Sequence, residues 1–179
     1  MKLLVMKGSP HKNGSSNLLA DAFCRGAEET GHQIEIFDAA HAKLHSCTGC
    51  DACGMFGPCC QMDDGEQMRK LMLGADMVVF VTPIYYFGFS AQLKTAIDRF
   101  YSFNGKLMAK RMKAALIAAA WNDDSWTMEA TAAHYKTLCR YLCFDDQGMI
   151  LGTGCGTPSM TERTVFPEKA YEFGKALKL

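Results

Sequence analysis

The segment at residues 77–81, MVVFV, is apolar at every position, and it limits the possible folds more than any other part of the sequence. A strand with one solvated face alternates apolar and polar residues, whereas a strand that is apolar throughout is buried on both faces. Such strands occur mainly in parallel sheets that helices cover on both sides. We therefore expect an α/β fold around this strand.

The rest of the chain alternates short apolar runs with amphipathic stretches. Four further strands are predicted at residues 3–6, 33–37, 114–120 and 147–151. Helices are predicted at residues 15–31, 64–72, 90–100, 125–142 and 168–177. Ser15 or Ser16 is expected to cap the first of them, Asp64 the second and Ser90 the third. Together these patterns predict a five-stranded parallel sheet with helices on both faces, whose ligands bind beyond the carboxyl ends of the strands.

Length and composition point to a globular chain. The 179 residues suit a single domain, residues 1–179, with a cysteine-rich loop at 47–60. Lys plus Arg and Asp plus Glu both total 19, so charge gives no reason to expect nucleic acid or a membrane as partner. No apolar run reaches the roughly 18 residues of a membrane span, and the apolar stretch at 3–6 is too short for a signal peptide. We expect a cytoplasmic protein, whose thiols stay reduced.

The loop after the first strand, GSPHKNGSSN at residues 8–17, has the composition of a phosphate-binding turn. It leads into a helix N-terminus, where unpaired N–H groups and the helix dipole favour an anion. Its candidate donors are Ser9, Ser15, Ser16 and Asn17, and its candidate cations are His11 and Lys12. The loop matches neither the dinucleotide fingerprint nor the P-loop pattern. An ordinary capped turn is the alternative.

The loop after the third strand, TPIYYFGFS at residues 82–90, contains four aromatic residues. Exposed aromatic side chains in a loop are unfavourable unless they cover a flat apolar ligand. The candidate contacts are Pro83, Ile84, Tyr85, Tyr86 and Phe87. Alternatively, these side chains fill the adjoining core or a subunit interface.

Two other loops give weaker indications. Trp121 follows the fourth strand and is a candidate to stack on the same ligand, although packing at a strand end explains it equally well. The glycines at 152–156 either allow a ligand to approach the backbone or form a turn.

Two of these loops resemble the NAD(P)H-dependent FMN reductase and flavodoxin-like family. Gly8-Ser9-Pro10 followed by Asn13-Gly14-Ser15 is similar to the phosphate loop of that family, which often has arginine or lysine in place of His11. The stretch TPIYYFGFSAQLKTAIDRF is similar to its second flavin-binding segment. The resemblance covers residues 2 to about 103, and it implies a flavodoxin-like three-layer sandwich that holds FMN through the loop residues named above.

Five cysteines lie within residues 47–60, in the order C-x2-C-x2-C, then Cys59 and Cys60. Three thiolates at this spacing can reach three corners of an iron-sulfur cluster, with Cys59 or Cys60 as the fourth ligand. A zinc site is an alternative, although zinc usually takes two separated C-x2-C pairs. Redox-active dithiols or free thiols would also fit the pattern.

The pattern from Cys47 to Asp64, C-x-G-C-x-x-C-x-x-x-G-x-C-x-x-x-D-D, resembles the iron-sulfur flavoproteins of the same superfamily. That match implies a 4Fe-4S cluster with Cys47, Cys50, Cys53 and Cys59 as ligands, and Cys60 as an additional thiol. Similar loops also occur in relatives known only as FMN reductases.

The resemblance implies an oxidoreductase in which FMN carries the chemistry, so no catalytic acid or base is assigned. NAD(P)H or a ferredoxin-like protein would donate electrons, and a quinone, a flavin or another small molecule would accept them. A homodimer or homotetramer is expected by the same resemblance. A flavodoxin-like binding module with a redox-sensing or regulatory role is the alternative.

Overall fold

The computed structural model describes residues 1–178, and these residues contain six strands. In chain order the strands are β1 (Lys2–Lys7), β2 (Gln33–Asp38), β3 (Met77–Tyr85), β4 (Gly88–Phe89), β5 (Lys113–Ala119) and β6 (Asp145–Gly152). Five of them form a parallel sheet in the order β2-β1-β3-β5-β6, and β4 pairs antiparallel with the end of β3. The predicted five-stranded parallel sheet is confirmed, with one short additional strand.

Helices cover both faces of this sheet. In chain order they are α1 (Ser15–Glu29), α2 (Gly65–Gly74), α3 (Ala91–Asp98), a 3-10 helix (Arg99–Phe103), α4 (Asn104–Lys110), α5 (Glu129–Leu142), α6 (Pro158–Thr161) and α7 (Phe166–Lys175). The helices α1 and α7 pack on one face, and α2 to α5 pack on the other. No helix within residues 1–178 has the length and apolar character needed to span a membrane.

The strand that dominated the sequence pattern lies between the two cores. Val78 and Phe80 point into the core beneath α2 to α5, whereas Met77, Val79 and Val81 point into the core beneath α1 and α7. All five residues are fully buried. The apolar run therefore reflects burial on both faces, as predicted.

Two predicted side-chain caps and one predicted strand end were wrong for local reasons. The N-cap of α1 is Gly14, so Ser15 and Ser16 are the first residues inside the helix. Asp64 is the N-cap of α2 but does not cap it with its side chain, because its carboxylate accepts a hydrogen bond from the Lys43 N–H at 2.7 Å. Strand β3 continues to Tyr85, through residues that were predicted to form a loop. Ser90, in contrast, caps α3 as predicted by accepting from the Leu93 N–H.

The strand order reverses direction between β1 and β3. From β1 the chain first moves outward to β2, and it then returns on the other side to β3, β5 and β6. In doubly wound sheets a crevice opens at such a reversal, beyond the carboxyl ends of the strands. The loops after β1 and β3 lie on the two sides of that crevice.

Candidate functional site

A cavity of about 550 Å³ opens at this crevice. Its volume lies within the usual range of small-molecule and cofactor sites. The loops that follow β1, β5 and β6, together with the carboxyl end of β3, all contribute to its lining. The predicted binding edge of the sheet therefore contains a cavity of suitable size.

Most of the residues predicted to hold a cofactor line this cavity. They are Ser9, His11, Lys12, Ser15, Ser16, Pro83, Ile84, Tyr85 and Trp121. Asn17, Tyr86 and Phe87 were predicted as contacts but are not part of the lining. Their binding roles, like those of the lining residues, stay predictions.

The loop between β1 and α1 is held in shape by its own hydrogen bonds. The Ser9 hydroxyl donates to the carbonyl oxygen of His11 at 3.1 Å and accepts from the His11 N–H at 3.2 Å. Asn17 Nδ2 donates to the carbonyl oxygens of His11 and Lys12, at 3.1 and 3.0 Å. The side chain of Asn17 is therefore used to fix the backbone of the loop, which explains why it does not line the cavity.

Two serine hydroxyls at the start of α1 are left without partners. The Oγ atoms of Ser15 and Ser16 are buried and make no hydrogen bond within residues 1–178. Gly14 offers no side chain to cap the helix, so the first N–H groups of α1 lack a cap as well. Buried polar atoms normally have partners. Unpartnered donors beside a helix N-terminus, in a cavity lined also by Lys12, fit a phosphate group.

The two sides of the crevice are joined at Gly8. The Gly8 N–H donates to the Val81 carbonyl oxygen at 2.8 Å, and the Ser90 hydroxyl donates to the Gly8 carbonyl oxygen at 2.7 Å. A Cβ atom on Gly8 would lie 2.6 Å from Leu93 Cβ. Only glycine allows this approach, which sets the loop after β1 directly against the start of α3.

An aromatic rim, formed by Tyr85, Tyr86, Phe87, Trp121 and Trp126, lies at the end of β3 and in the loops after β3 and β5. All five side chains are substantially exposed, and Tyr86 is completely so. Phe87 and Trp126 contact each other with ring centroids 4.9 Å apart. Exposed aromatic groups concentrated in two neighbouring loops are typical of a surface that receives a planar ligand or a partner.

Tyr86 and Phe87 form the two-residue turn between β3 and β4, and both have left-handed backbones, with φ of 48° and 62°. A turn with two positive φ angles usually contains Asn-Gly, because bulky side chains are disfavoured there. The Thr131 hydroxyl donates to the Phe87 carbonyl oxygen at 2.9 Å and helps to hold the turn. Strain of this kind is concentrated at functional sites.

Other lining residues had not been named individually as contacts. They are Asn13 and Gly14 of the predicted phosphate loop, Cys155 and Gly156 of the weaker glycine loop, and Ala119, Thr157 and Pro158. Thr157 and Pro158 begin α6, where Thr157 is the N-cap and Pro158 the first helical residue. A threonine followed by proline is a recognisable helix start, so this signal was present in the sequence.

The five cysteines of residues 47–60 line a second, small cavity together with Arg99 and Tyr101. The Sγ atoms of Cys50 and Cys60 lie 3.8 Å apart. Hydrogen bonds from the Ala52 backbone and from Cys60 lower the pKa of Cys50. Within residues 1–178 no three side chains are already arranged around a metal ion. The thiols therefore share one cavity but do not form a preorganised single-ion site.

A buried ion pair attaches this cysteine loop to the 3-10 helix. Arg99 donates to both carboxylate oxygens of Asp63, at 2.7 and 2.9 Å, and to the His45 carbonyl oxygen at 2.8 Å. The side chains of Arg99 and Asp63 are each only 2% exposed. Arg99 Nε has no partner within residues 1–178, although the residue lines the thiol cavity. A cation with an unused N–H beside five thiols fits an anionic group such as a thiolate-ligated cluster.

The ion pair also controls the ionisation of Asp63. Burial by itself would raise the pKa of Asp63, but hydrogen bonds from Arg99 and from the N–H groups of His45 and Gly65 hold it well below its usual range. A group whose pKa is lowered by folding stabilises the protein above its unfolded pKa, and this stabilisation is lost as the pH falls below that value.

We expect Asp63→Asn to lower the free energy of unfolding by about 3–5 kcal/mol at neutral pH, because it leaves Arg99 buried and uncompensated. Urea denaturation from neutral to acid pH measures this effect. The difference from wild type is expected to stay constant down to about pH 4 and to shrink below it, where the wild-type carboxylate takes up a proton on unfolding.

The control for this experiment is Asp98→Asn. Asp98 pairs with Lys94 at 2.6 Å, but both side chains are more than 40% exposed. Its loss is expected to cost at most about 1 kcal/mol. Equal effects of the two substitutions would contradict the anchoring role of Asp63.

Replacing Tyr86 and Phe87 by Asn and Gly is expected to raise the free energy of unfolding of the ligand-free protein by about 1–3 kcal/mol. Relief of two strained backbones contributes about 1–2 kcal/mol per residue, and the lost contact between Phe87 and Trp126 subtracts about 0.5–1.5 kcal/mol. Urea denaturation provides the measurement. Tyr86→Phe retains the strain and is the neutral control, whereas a less stable double variant would show that the turn is not strained.

Comparison with known proteins agrees with this architecture. The family model for NADPH-dependent FMN reductase matches residues 1–142. The structure of an NAD(P)H:quinone oxidoreductase from Methanothermobacter marburgensis superposes with a TM-score of 0.80 over 100% of this chain and 96% of that one, at 18% identity. This likeness confirms the flavodoxin-like fold.

Two relatives with higher sequence identity are iron-sulfur flavoproteins. An iron-sulfur flavoprotein of Archaeoglobus fulgidus is 36% identical over 99 residues, which are 55% of this chain and 45% of that protein. An iron-sulfur flavoprotein of Methanocaldococcus jannaschii is 35% identical over 99 residues, 55% of this chain and 51% of that protein. The matching part thus spans about half the length of either relative.

The family model covers the strands β1 to β5 and most of the helices, including both loops on the two sides of the crevice. The chain belongs to the NADPH-dependent FMN reductase family.

Proposed function

We propose that this chain binds FMN in the cavity at the sheet edge and transfers electrons from NAD(P)H, or from a ferredoxin-like protein, to a quinone, a flavin or another small acceptor. One observation carries the proposal. The two buried, unpartnered serine hydroxyls line the same cavity as Tyr85 and Trp121 of the aromatic rim, as a ligand with a phosphate end and a flat ring requires.

The phosphate end would be held at the start of α1. Ser15 and Ser16 offer unused hydroxyl donors there, and Lys12 supplies a positive charge at the cavity wall. The hydrogen bonds of Ser9 and Asn17 already fix the loop, so little conformational entropy is lost when the phosphate binds.

The ring end would be held at the carboxyl end of β3. Pro83, Ile84 and Tyr85 line the cavity there, and Trp121, which packs against Gly156, also lines it. Bound FMN would supply the hydride and one-electron chemistry, which no side chain in this lining provides. The exposed part of the aromatic rim leaves a surface on which a planar acceptor can dock.

For the cysteine loop we propose a 4Fe-4S cluster held by Cys47, Cys50, Cys53 and Cys59. The shared cavity, the buried Arg99 beside it and the resemblance to iron-sulfur flavoproteins support this site over zinc. A reducing compartment such as the cytoplasm would keep its thiols available.

Further proposals concern the organisation of the protein. We propose that residues 1–179 act as one domain and that copies of the chain associate as a homodimer or homotetramer, with the aromatic rim near the contact. Aromatic side chains of this kind are common in subunit interfaces.

The visible absorption spectrum of the anaerobically purified protein tests the function. We expect the spectrum of oxidised flavin, and bleaching of its visible bands when NADPH or reduced ferredoxin is added. Iron and acid-labile sulfide are expected in roughly equal amounts, near four of each per chain. A protein that holds FMN but is reduced by none of these donors would favour a binding module without turnover.

Ser15→Ala and Ser16→Ala are each expected to weaken FMN binding by about tenfold to a hundredfold, because a hydrogen bond to a charged group contributes about 1.5–3 kcal/mol. Quenching of flavin fluorescence on titration gives the dissociation constant.

Riboflavin, which has no phosphate, provides the internal control, and its affinity is expected to be the same for wild type and both variants. Ser46→Ala, a change at an exposed serine outside the cavity lining, is expected to leave both affinities unchanged. If Ser15→Ala or Ser16→Ala weakened the binding of FMN and riboflavin equally, the phosphate group would not bind at these serines.

A further inference from the structure

The thiol cavity contains one more cysteine than a four-ligand site uses. Cys60 is that additional thiol, and its Sγ lies 3.8 Å from Cys50 Sγ, at van der Waals contact. Both residues are exposed, so small molecules in solution can reach them. Two accessible thiols in contact are placed to react with each other.

Neighbouring contacts keep these two thiols together. Asp51, which follows Cys50, accepts a hydrogen bond from the Tyr101 hydroxyl at 2.7 Å. Gln61, which follows Cys60, donates through Nε2 to the Ser46 carbonyl oxygen at 3.0 Å. Each thiol is therefore next to an anchored residue, and the two ends of the loop are tied to each other.

Cys59 has a different environment from Cys60, although the two are adjacent in sequence. Cys59 is half-buried, and its thiol neighbours the guanidinium of Arg99. The geometry thus separates the two candidates for the fourth ligand: Cys59 lies on the buried wall of the cavity, and Cys60 lies on its exposed edge against Cys50.

We propose that Cys50 and Cys60 form a reversible disulfide when the loop holds no metal, and that this bond removes Cys50 from the ligand set until it is reduced. The disulfide itself does not depend on the proposed function. Its effect on metal uptake rests on the proposed cluster.

The reaction is a thiol–disulfide exchange with a low-molecular-weight disulfide such as oxidised glutathione. One protein thiolate attacks a glutathione sulfur and forms a mixed disulfide, which releases one glutathione thiolate. The second protein thiolate then attacks the mixed disulfide, forms the bond between Cys50 and Cys60, and releases the second glutathione. Two protein thiols are oxidised, one glutathione disulfide is reduced to two thiols, and the protons lost by the protein thiols appear on glutathione.

The geometry requires only a small adjustment. A disulfide bond is about 2.05 Å long, so the two sulfurs must approach by somewhat less than about 2 Å. Rotation of two exposed side chains on one loop can supply this movement. Disulfides in reducing compartments are usually transient and redox-sensing, which agrees with a reversible bond.

The test uses the full chain, reduced, freed of metal with a chelator and then incubated with oxidised glutathione. Because Cys24, Cys139 and Cys155 are buried, the remaining thiols are alkylated in denaturant and then counted by mass spectrometry. We expect one disulfide, with seven of the nine cysteines alkylated. No Lys or Arg lies between Lys43 and Arg69, so trypsin leaves all five loop cysteines in one peptide. Chymotryptic cleavage after Phe56 then separates Cys50 from Cys60, and only the disulfide keeps the two fragments joined.

Cys50→Ser and Cys60→Ser are each expected to abolish the disulfide, so that the two chymotryptic fragments separate and the remaining thiol of the pair is either alkylated or carries one glutathione. The matched control is Cys143→Ser, at an exposed cysteine outside the thiol cavity, which is expected to keep the disulfide. Full alkylation of the wild type, or an equally joined pair of fragments in Cys60→Ser, would overturn the proposal.

Reconstitution with ferrous iron and sulfide separates this inference from the proposed function. The oxidised wild type is expected to bind at least fivefold less iron than the reduced wild type, and treatment of the oxidised protein with dithiothreitol is expected to restore the uptake. Equal iron uptake by oxidised and reduced wild type would overturn the gating role. If reduced wild type binds no iron but still forms the disulfide, the proposal of a cluster is contradicted and the proposal of the disulfide is supported.

Discussion

The hydrogen bonds at Gly8 set the geometry on which the candidate site depends. Gly8 donates to Val81 and accepts from Ser90, so the end of β1, the middle of β3 and the start of α3 meet at one buried point. The Ser90 N–H also donates to the Thr82 hydroxyl at 2.9 Å, which fixes the start of α3 against β3. The loop after β1 is thereby fixed beside β3, and the serines of α1 line the same cavity as Tyr85 and Trp121 of the aromatic rim.

The cysteine loop is held by a different kind of interaction. It lies outside the sheet, between β2 and α2, and its main attachment is the buried pair of Arg99 and Asp63. A pair of this type stabilises only while both partners are present, since either charge left alone would be buried without compensation. Phe56 packs closely against Gly105 and adds an apolar contact on the other side of the loop. The loop and the crevice are therefore anchored separately, although both attach to the segment from α3 to α4.

Several features of the crevice lower the stability of the chain without a ligand. Two buried hydroxyls lack partners within residues 1–178, large aromatic side chains are exposed, and Tyr86 and Phe87 have left-handed backbones. Natural proteins depart from local rules in this way mainly at functional sites. These unfavourable features lie in or next to the loops that the sequence pattern had indicated. A ligand with a phosphate group and a flat ring would give partners to the hydroxyls and cover part of the exposed aromatic surface.

The sequence by itself determined the layers of the fold, the five parallel strands and most of the cavity lining, because these follow from local periodicity and from the rule that loops after parallel strands meet at one edge. Tertiary structure decided the rest. The side chain of Asn17 holds the backbone of the phosphate loop and does not line the cavity. Tyr86 and Phe87 are not part of the lining because β3 continues to Tyr85 before the chain turns back. The pairing of Arg99 with Asp63 joins residues 36 positions apart, and that of Cys50 with Cys60 depends on how the loop is anchored. Such contacts are set by packing between distant segments, and no local pattern in the sequence encodes them.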